Sequence, residues 1–184
     1  MHRFRRSLAV LLALASLAGC NVLFVPRKPP STPSPSPNTD VHQYPDLEAR
    51  LPDEIDGQPL EKFSLKSDAE ANSAKTLQVL ARLGKTPADV QLARASATGV
   101  DVTAAAMRIV GTDAIQAAVA FQAVDEADPR SGAVYEPEVV AGKRVLIRTS
   151  GSSVGFTYIY PVEDILFIYS GNRALVEEAL TKTR

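Results

Sequence analysis

Hydrophobic and polar positions change their pattern twice along this chain. From Leu8 to Leu17 the residues are apolar with hardly a break, behind a start that carries Arg3, Arg5 and Arg6. From Pro26 to Pro45 apolar positions are sparse and follow no period. Beyond Asp46, stretches with a helical period alternate with stretches of β-branched and aromatic residues, and these last two patterns predict a folded unit.

Within that unit, "SDAEANSAKTLQVLARLG" opens on a capping box, Ser67 to Glu70, and ends at Gly84. Leu77, Leu80, Ala81 and Gly84 share one face of a helix there, so the spacing predicts helix over 68–83. "TPAD" repeats the capping signal over a length that suffices only for a turn. "VQLARASA" and "VDVTAAAMRIV" follow, divided by Thr98-Gly99, and read as a hairpin. A second helix, "DAIQAAVAFQAVDEA", has Ile115, Ala118, Val119 and Gln122 on one side and stops at Asp128-Pro129 and Gly132. After "VYEPEVVAGK" come three extended runs, "RVLIRTS", "FTYIY" and "ILFIYS". Asn172 then caps an amphipathic helix that carries Leu175, Val176, Ala179 and Leu180.

The order is roughly β-α-β-β-α-β-β-β-α, with helix followed by hairpin occurring twice. Strands joined by short turns pair antiparallel. The expected fold is therefore α+β: a two-layer sandwich, mostly antiparallel sheet, with helices packed on one face.

The basic start and the short apolar run describe an export signal, too short to span a bilayer. It closes on "LAGC", Leu17 to Cys20. These residues resemble the lipobox of bacterial prolipoproteins, a resemblance confined to the leader. It implies that the Cys20 thiol receives a diacylglyceryl group and that cleavage before it makes Cys20 the new N-terminus. Each buried methylene contributes about 0.8 kcal/mol, and two acyl chains hold a protein to a membrane where one does not. The resemblance thus implies a lipid-anchored protein of the bacterial cell envelope, its domain facing the periplasm or the exterior.

Seven of the thirteen prolines lie between Pro26 and Pro45. That density fixes φ, removes backbone donors and favours an extended course. Twenty such residues reach roughly 60 Å at about 3.1 Å each. The chain divides into a signal peptide at 1–19, the lipidated cysteine and a Pro/Ser-rich spacer at 20–45, and one globular domain at 46–184. Both histidines, His2 and His42, fall outside that domain, as does the single cysteine.

Charge narrows the partners. From Asp46 onward there are 15 Lys and Arg against 20 Asp and Glu, a balance of 15 − 20 = −5. An acidic domain with no basic run repels phosphate backbones, which excludes nucleic acid as the expected partner.

Candidate chemistry is thin. "GSSVG", Gly151 to Gly155, fits the pattern of a nucleophile elbow around Ser153. An elbow needs a helix after the serine and a base beside it, whereas "FTYIY" reads as a strand and the domain has no histidine. A hairpin loop accounts for the same residues. The acidic runs "DEIDG" (Asp53, Glu54, Asp56) and "DEADPRSG" (Asp125, Glu126, Asp128) lack the alternate spacing of a calcium loop and read as solvated loops. Zinc and similar metals have no nitrogen or sulfur ligands there. Glu136 with Glu138, and Glu163 with Asp164, lie close together in the sequence and do not read as a pair across a sugar-sized cleft.

Aromatic residues offer the one binding candidate. Phe156, Tyr158 and Tyr160 alternate onto one strand face, and Phe167 and Tyr169 do so on the next. They read either as core and cross-strand pairs or as a ligand-facing patch in which Tyr158, Tyr160 and Tyr169 make contact. The expectation is a non-enzymatic binding or interaction module without cofactor or metal. Its partners are the membrane, through the lipid on Cys20, and an envelope protein or a small apolar ligand. Two alternatives stand beside it. A carboxylate-dependent hydrolase of cell-wall or polysaccharide material requires converging acids in a cleft. A carrier of a small apolar ligand requires an apolar cavity between sheet and helices.

Overall fold

The computed structural model describes residues 41–65, 70–150 and 156–184. The leader, the lipobox with Cys20 and nearly all of the spacer lie outside them, as do Ser67 and Ser153. Among the described residues seven strands form one sheet, antiparallel at every junction. They are β3 (Glu61–Ser64), β4 (Val90–Ser96), β5 (Val102–Ile109), β6 (Ala133–Val140), β7 (Lys143–Ser150), β8 (Phe156–Val162) and β9 (Ile165–Gly171). Their spatial order is β3-β4-β5-β9-β8-β7-β6. Helix α3 (Ala114–Ala127) leaves β5 in the middle and crosses to the far edge, from which β6 to β9 return as a meander to the free side of β5. A two-stranded hairpin, β1 (Glu54–Ile55) with β2 (Gln58–Pro59), stands apart from this sheet.

The α+β class and the antiparallel sheet are as expected. The expected helical layer is α2 (Ala74–Leu83) with α3, packed over Leu92, Met107, Ile109, Ile159 and Leu166. A second cover lies across the opposite face. There the short α1 (Pro45–Glu48), the small hairpin and α4 (Arg173–Lys182) bury Ala93, Ala106, Tyr158, Phe167 and Tyr169. Both faces of the central strands are therefore apolar, which explains why β5 and β9 read as continuous hydrophobic runs rather than alternating ones.

Several local expectations shift for identifiable reasons. Helix α2 starts at Ala74, with the Ser73 side chain accepting from the Thr76 N–H at 3.1 Å, and not at the upstream box. It ends at Gly84, whose φ of 65° a glycine adopts without strain. Its buried stripe is Thr76, Val79 and Leu80, so Leu77 faces outward. On α3 the buried residues are Ala114, Ala117, Ala118, Ala120, Phe121, Val124 and Asp125, leaving Ile115 and Val119 exposed at 63% and 57%. That helix is apolar nearly all round, so periodicity does not define its face; the small alanines do, by letting the helix lie close to the sheet. "VYEPEVV" is strand β6, paired with β7 along its whole length. An edge strand has one unpaired side and tolerates Pro137 and the flanking glutamates, which also discourage further pairing.

The fold begins before Asp46. His42 bridges to Ser64, its ring lies 2.8 Å from Glu48, and Ser64 donates to the same carboxylate at 2.5 Å. Asn172 does cap α4, accepting from the Ala174 N–H at 2.9 Å.

A cavity between the sheet and the α2–α3 layer

Antiparallel register sorts the sheet face beneath α2 and α3 into rows that run across the strands. One row is Leu92, Met107 and Leu166, all buried. Two residues along each strand comes Arg94, Ala105, Ile168 and Ile159. Two further along comes Ser96, Thr103, Ser170, Thr157, Arg148 and Tyr135. At about 3.4 Å of rise per residue, the first row and the third lie about 14 Å apart. The floor changes over that distance from purely aliphatic to almost purely hydroxyl-bearing and cationic.

The helices do not cover the whole floor. Between the sheet, Phe121 of α3 and Lys75 of α2 lies a cavity of about 520 Å³, lined by members of all three rows. That is the size of a site for a small organic ligand. Its inner end is Leu92, Met107, Leu166 and Phe121; its outer end is the hydroxyl row, in which Thr157 and Ser170 are bonded to each other at 3.2 Å. Among the described residues Lys75, Arg94, Arg148 and Glu70 are its charged lining.

A buried charge cluster forms one wall. The Asp125 side chain is only 6% exposed. It accepts from Lys75 Nζ at 2.7 Å, from Arg148 Nε at 2.6 Å and from the Tyr135 hydroxyl. Burial raises the Asp125 carboxyl, but the hydrogen bonds from Arg148, Lys75 and Tyr135 outweigh it and hold the group below the ordinary carboxylate range. Burial, followed by the adjoining carboxylate, drives the Tyr135 phenol well above its usual value. Burial works against the Arg148 guanidinium, and its contact with Asp125 outweighs that and raises it. Asp125 is thus not part of a solvated loop, as its acidic neighbours suggest; it sits on the inner side of the last turn of α3. Its lone pairs are taken by cations, so it has no free capacity to act as a base.

The tyrosines lie elsewhere. Tyr158 and Tyr169 are buried on the opposite face, directly paired across β8 and β9, and Tyr160 packs against the same core. Thr183 donates to the Ala179 carbonyl at 2.8 Å, so the Tyr169 hydroxyl is the donor to Thr183. Burial pushes the phenols of Tyr158 and Tyr169 upward. The core reading of these aromatics is the one that applies: α4 and α1 lie where a ligand would have to approach. Phe156 alone of the five is substantially exposed.

Several of the candidate acids are engaged at the surface. Glu138 pairs with Arg173, Glu163 with Arg50 at 3.3 Å, and Asp164 with Arg108 at 2.7 Å. Asp53 meets Lys62 at 2.7 Å and Arg184 at 2.9 Å. Among the described residues no group of three or more His, Cys, Asp or Glu is arranged to hold a metal ion, and no helix is long and apolar enough to cross a membrane. "GSSVG" and Ser153 lie outside the described residues, but β7 before them and β8 after them are paired antiparallel. A strand thus follows where an elbow needs a helix.

The sequence reading did not find Arg94, Thr103, Arg148, Thr157 or Ser170. A signal was present: "LARAS" and "LFIYS" both end an every-second-residue series in serine. It acquires meaning only when register sets the two serines in one row. Comparison with protein-family models, with curated proteins and with solved structures gives no match to this chain.

Proposed function

We propose that this protein is a lipid-anchored binding module of the bacterial envelope that holds a small apolar ligand between its sheet and the α2–α3 layer. The cavity of about 520 Å³, with an aliphatic inner end, is the observation that carries the reading. That inner end supports the carrier alternative, which asks for apolar space between sheet and helices. The leader supports the anchor: a lipobox-like "LAGC" ending at Cys20, then a proline-rich stretch long enough to lift a domain off a lipid surface. Ion pairing of Glu138, Glu163 and Asp164, and saturation of Asp125, favour a non-catalytic role over hydrolysis.

The test uses N-phenyl-1-naphthylamine, a neutral dye that fluoresces in apolar surroundings. The mature chain carrying Cys20→Ser, free of lipid, is titrated with it. Saturable enhancement at one site is expected, and Ala105→Leu, which fills the middle of the floor, abolishes it while the protein melts as cooperatively as before. Absence of saturable binding, or binding indifferent to Ala105→Leu, overturns the reading.

A further inference from the structure

We infer, resting on the binding role just proposed, that the ligand is an anionic amphiphile: an apolar chain lying over Leu92, Met107 and Leu166 with an acid head at the hydroxyl row. The floor supports this first by its polarity gradient. Aliphatic side chains at one end demand an apolar body, and about 14 Å further along the same strands four hydroxyls, those of Ser96, Thr103, Thr157 and Ser170, face the cavity. A ligand that is apolar throughout would take the exposed Ser96 and Thr103 hydroxyls out of water without offering them a partner, at a cost of about 1–3 kcal/mol for each group left unsatisfied. A ligand that is polar throughout would gain nothing from the inner end.

Charge gives the head its sign. The domain has five more acids than bases from Asp46 onward, yet among the described residues Lys75, Arg94 and Arg148 line this cavity with Glu70. On the Asp125 wall Lys75 and Arg148 share a single carboxylate, so that cluster carries one more cation than acid, 2 − 1 = +1. Arg94, in the middle row on β4, and Arg148, in the hydroxyl row on β7, stand four strands apart, about 19 Å at the usual strand spacing, on opposite sides of the floor. Cations and hydroxyl donors around a partly enclosed space suit a carboxylate or phosphate and disfavour a quaternary ammonium. A free fatty acid and a single-chain phospholipid share this chemistry, and the anchor would hold the site close to a membrane that contains such molecules.

Calorimetric titration of the lipid-free mature chain with decanoate, decyl phosphate, decanol and decyltrimethylammonium at pH 8 tests it. Both anions are expected to bind at least about tenfold more tightly than decanol, and decyltrimethylammonium more weakly than decanol. The ratio of the two anions then tells the sources apart, a carboxylate preference pointing to fatty acids and a phosphate preference to single-chain phospholipids. In Arg94→Gln the anion-to-decanol ratio falls to about threefold or less, with an unchanged melting transition as the check on folding. Equal affinity for decanoate, decyl phosphate and decanol overturns the inference while leaving the binding role intact, provided N-phenyl-1-naphthylamine still binds. Tighter binding of the ammonium overturns it as well. Failure of the dye and of all four ligands removes the binding role itself.

Discussion

Replacing Asp125 with Asn keeps the shape of the side chain and removes its charge, which isolates the electrostatic account of the cavity wall. Asp125 accepts from two cations and a phenol while almost wholly buried. Removing one partner of a buried ion pair costs about 3–5 kcal/mol, because the charge left behind has lost its compensation. Here the groups left behind, Lys75 and Arg148, are 36% and 23% exposed and regain part of their hydration. Asn also retains an acceptor oxygen. The expected loss is therefore about 2–3 kcal/mol at pH 7, which lowers the melting temperature by roughly 6–9 °C for a domain of this size. The pH dependence has a definite sign. The folded carboxyl titrates below its unfolded value, so its contribution is complete above that unfolded value, near 3.9, and is lost as the pH falls through the folded one. Urea denaturation of both proteins, stepped from pH 7 down to pH 3, should show a stability gap that is constant down to about pH 4 and then narrows. A gap below about 0.5 kcal/mol at pH 7, or one that widens in acid, would refute the claim that this carboxylate is held ionised by its partners.

Gly171 ends β9 at a φ of 143°, and a Cβ there would stand 2.1 Å from the Asp101 carbonyl oxygen. Gly171→Ala should cost about 3 kcal/mol or more in thermal or urea unfolding, against about 1–2 kcal/mol for Gly84→Ala, where nothing lies within 4 Å and only the backbone conformation is unfavourable. Cys20→Ser should move the protein from the membrane fraction to the soluble one, with the intact mass of the natural form exceeding its peptide mass by the acyl groups. An unmodified Cys20 in membrane-extracted protein would end the lipoprotein assignment.

The class of fold was written in local signals. Asn172 precedes a helical period, Gly84 terminates one, and Thr98-Gly99 divides two strands; each acts through the backbone of its nearest neighbours and so can be read without knowing anything distant. The lipobox-like leader and the proline spacer are legible in the same way, since their meaning is compositional. What the sequence left open depends on contacts between residues far apart along the chain. Whether Tyr158 and Tyr169 face a ligand or a core was decided by α4, which docks over them from the end of the chain. Whether Asp125 is solvent or wall was decided by Lys75 fifty positions before it and Arg148 twenty-three after. The cavity itself belongs to no segment. Hydrophobic periodicity tells a strand which face is buried but carries no information on register, and it is register alone that lines up Thr103, Ser170, Thr157 and Arg148 into one polar row at the end of an apolar floor.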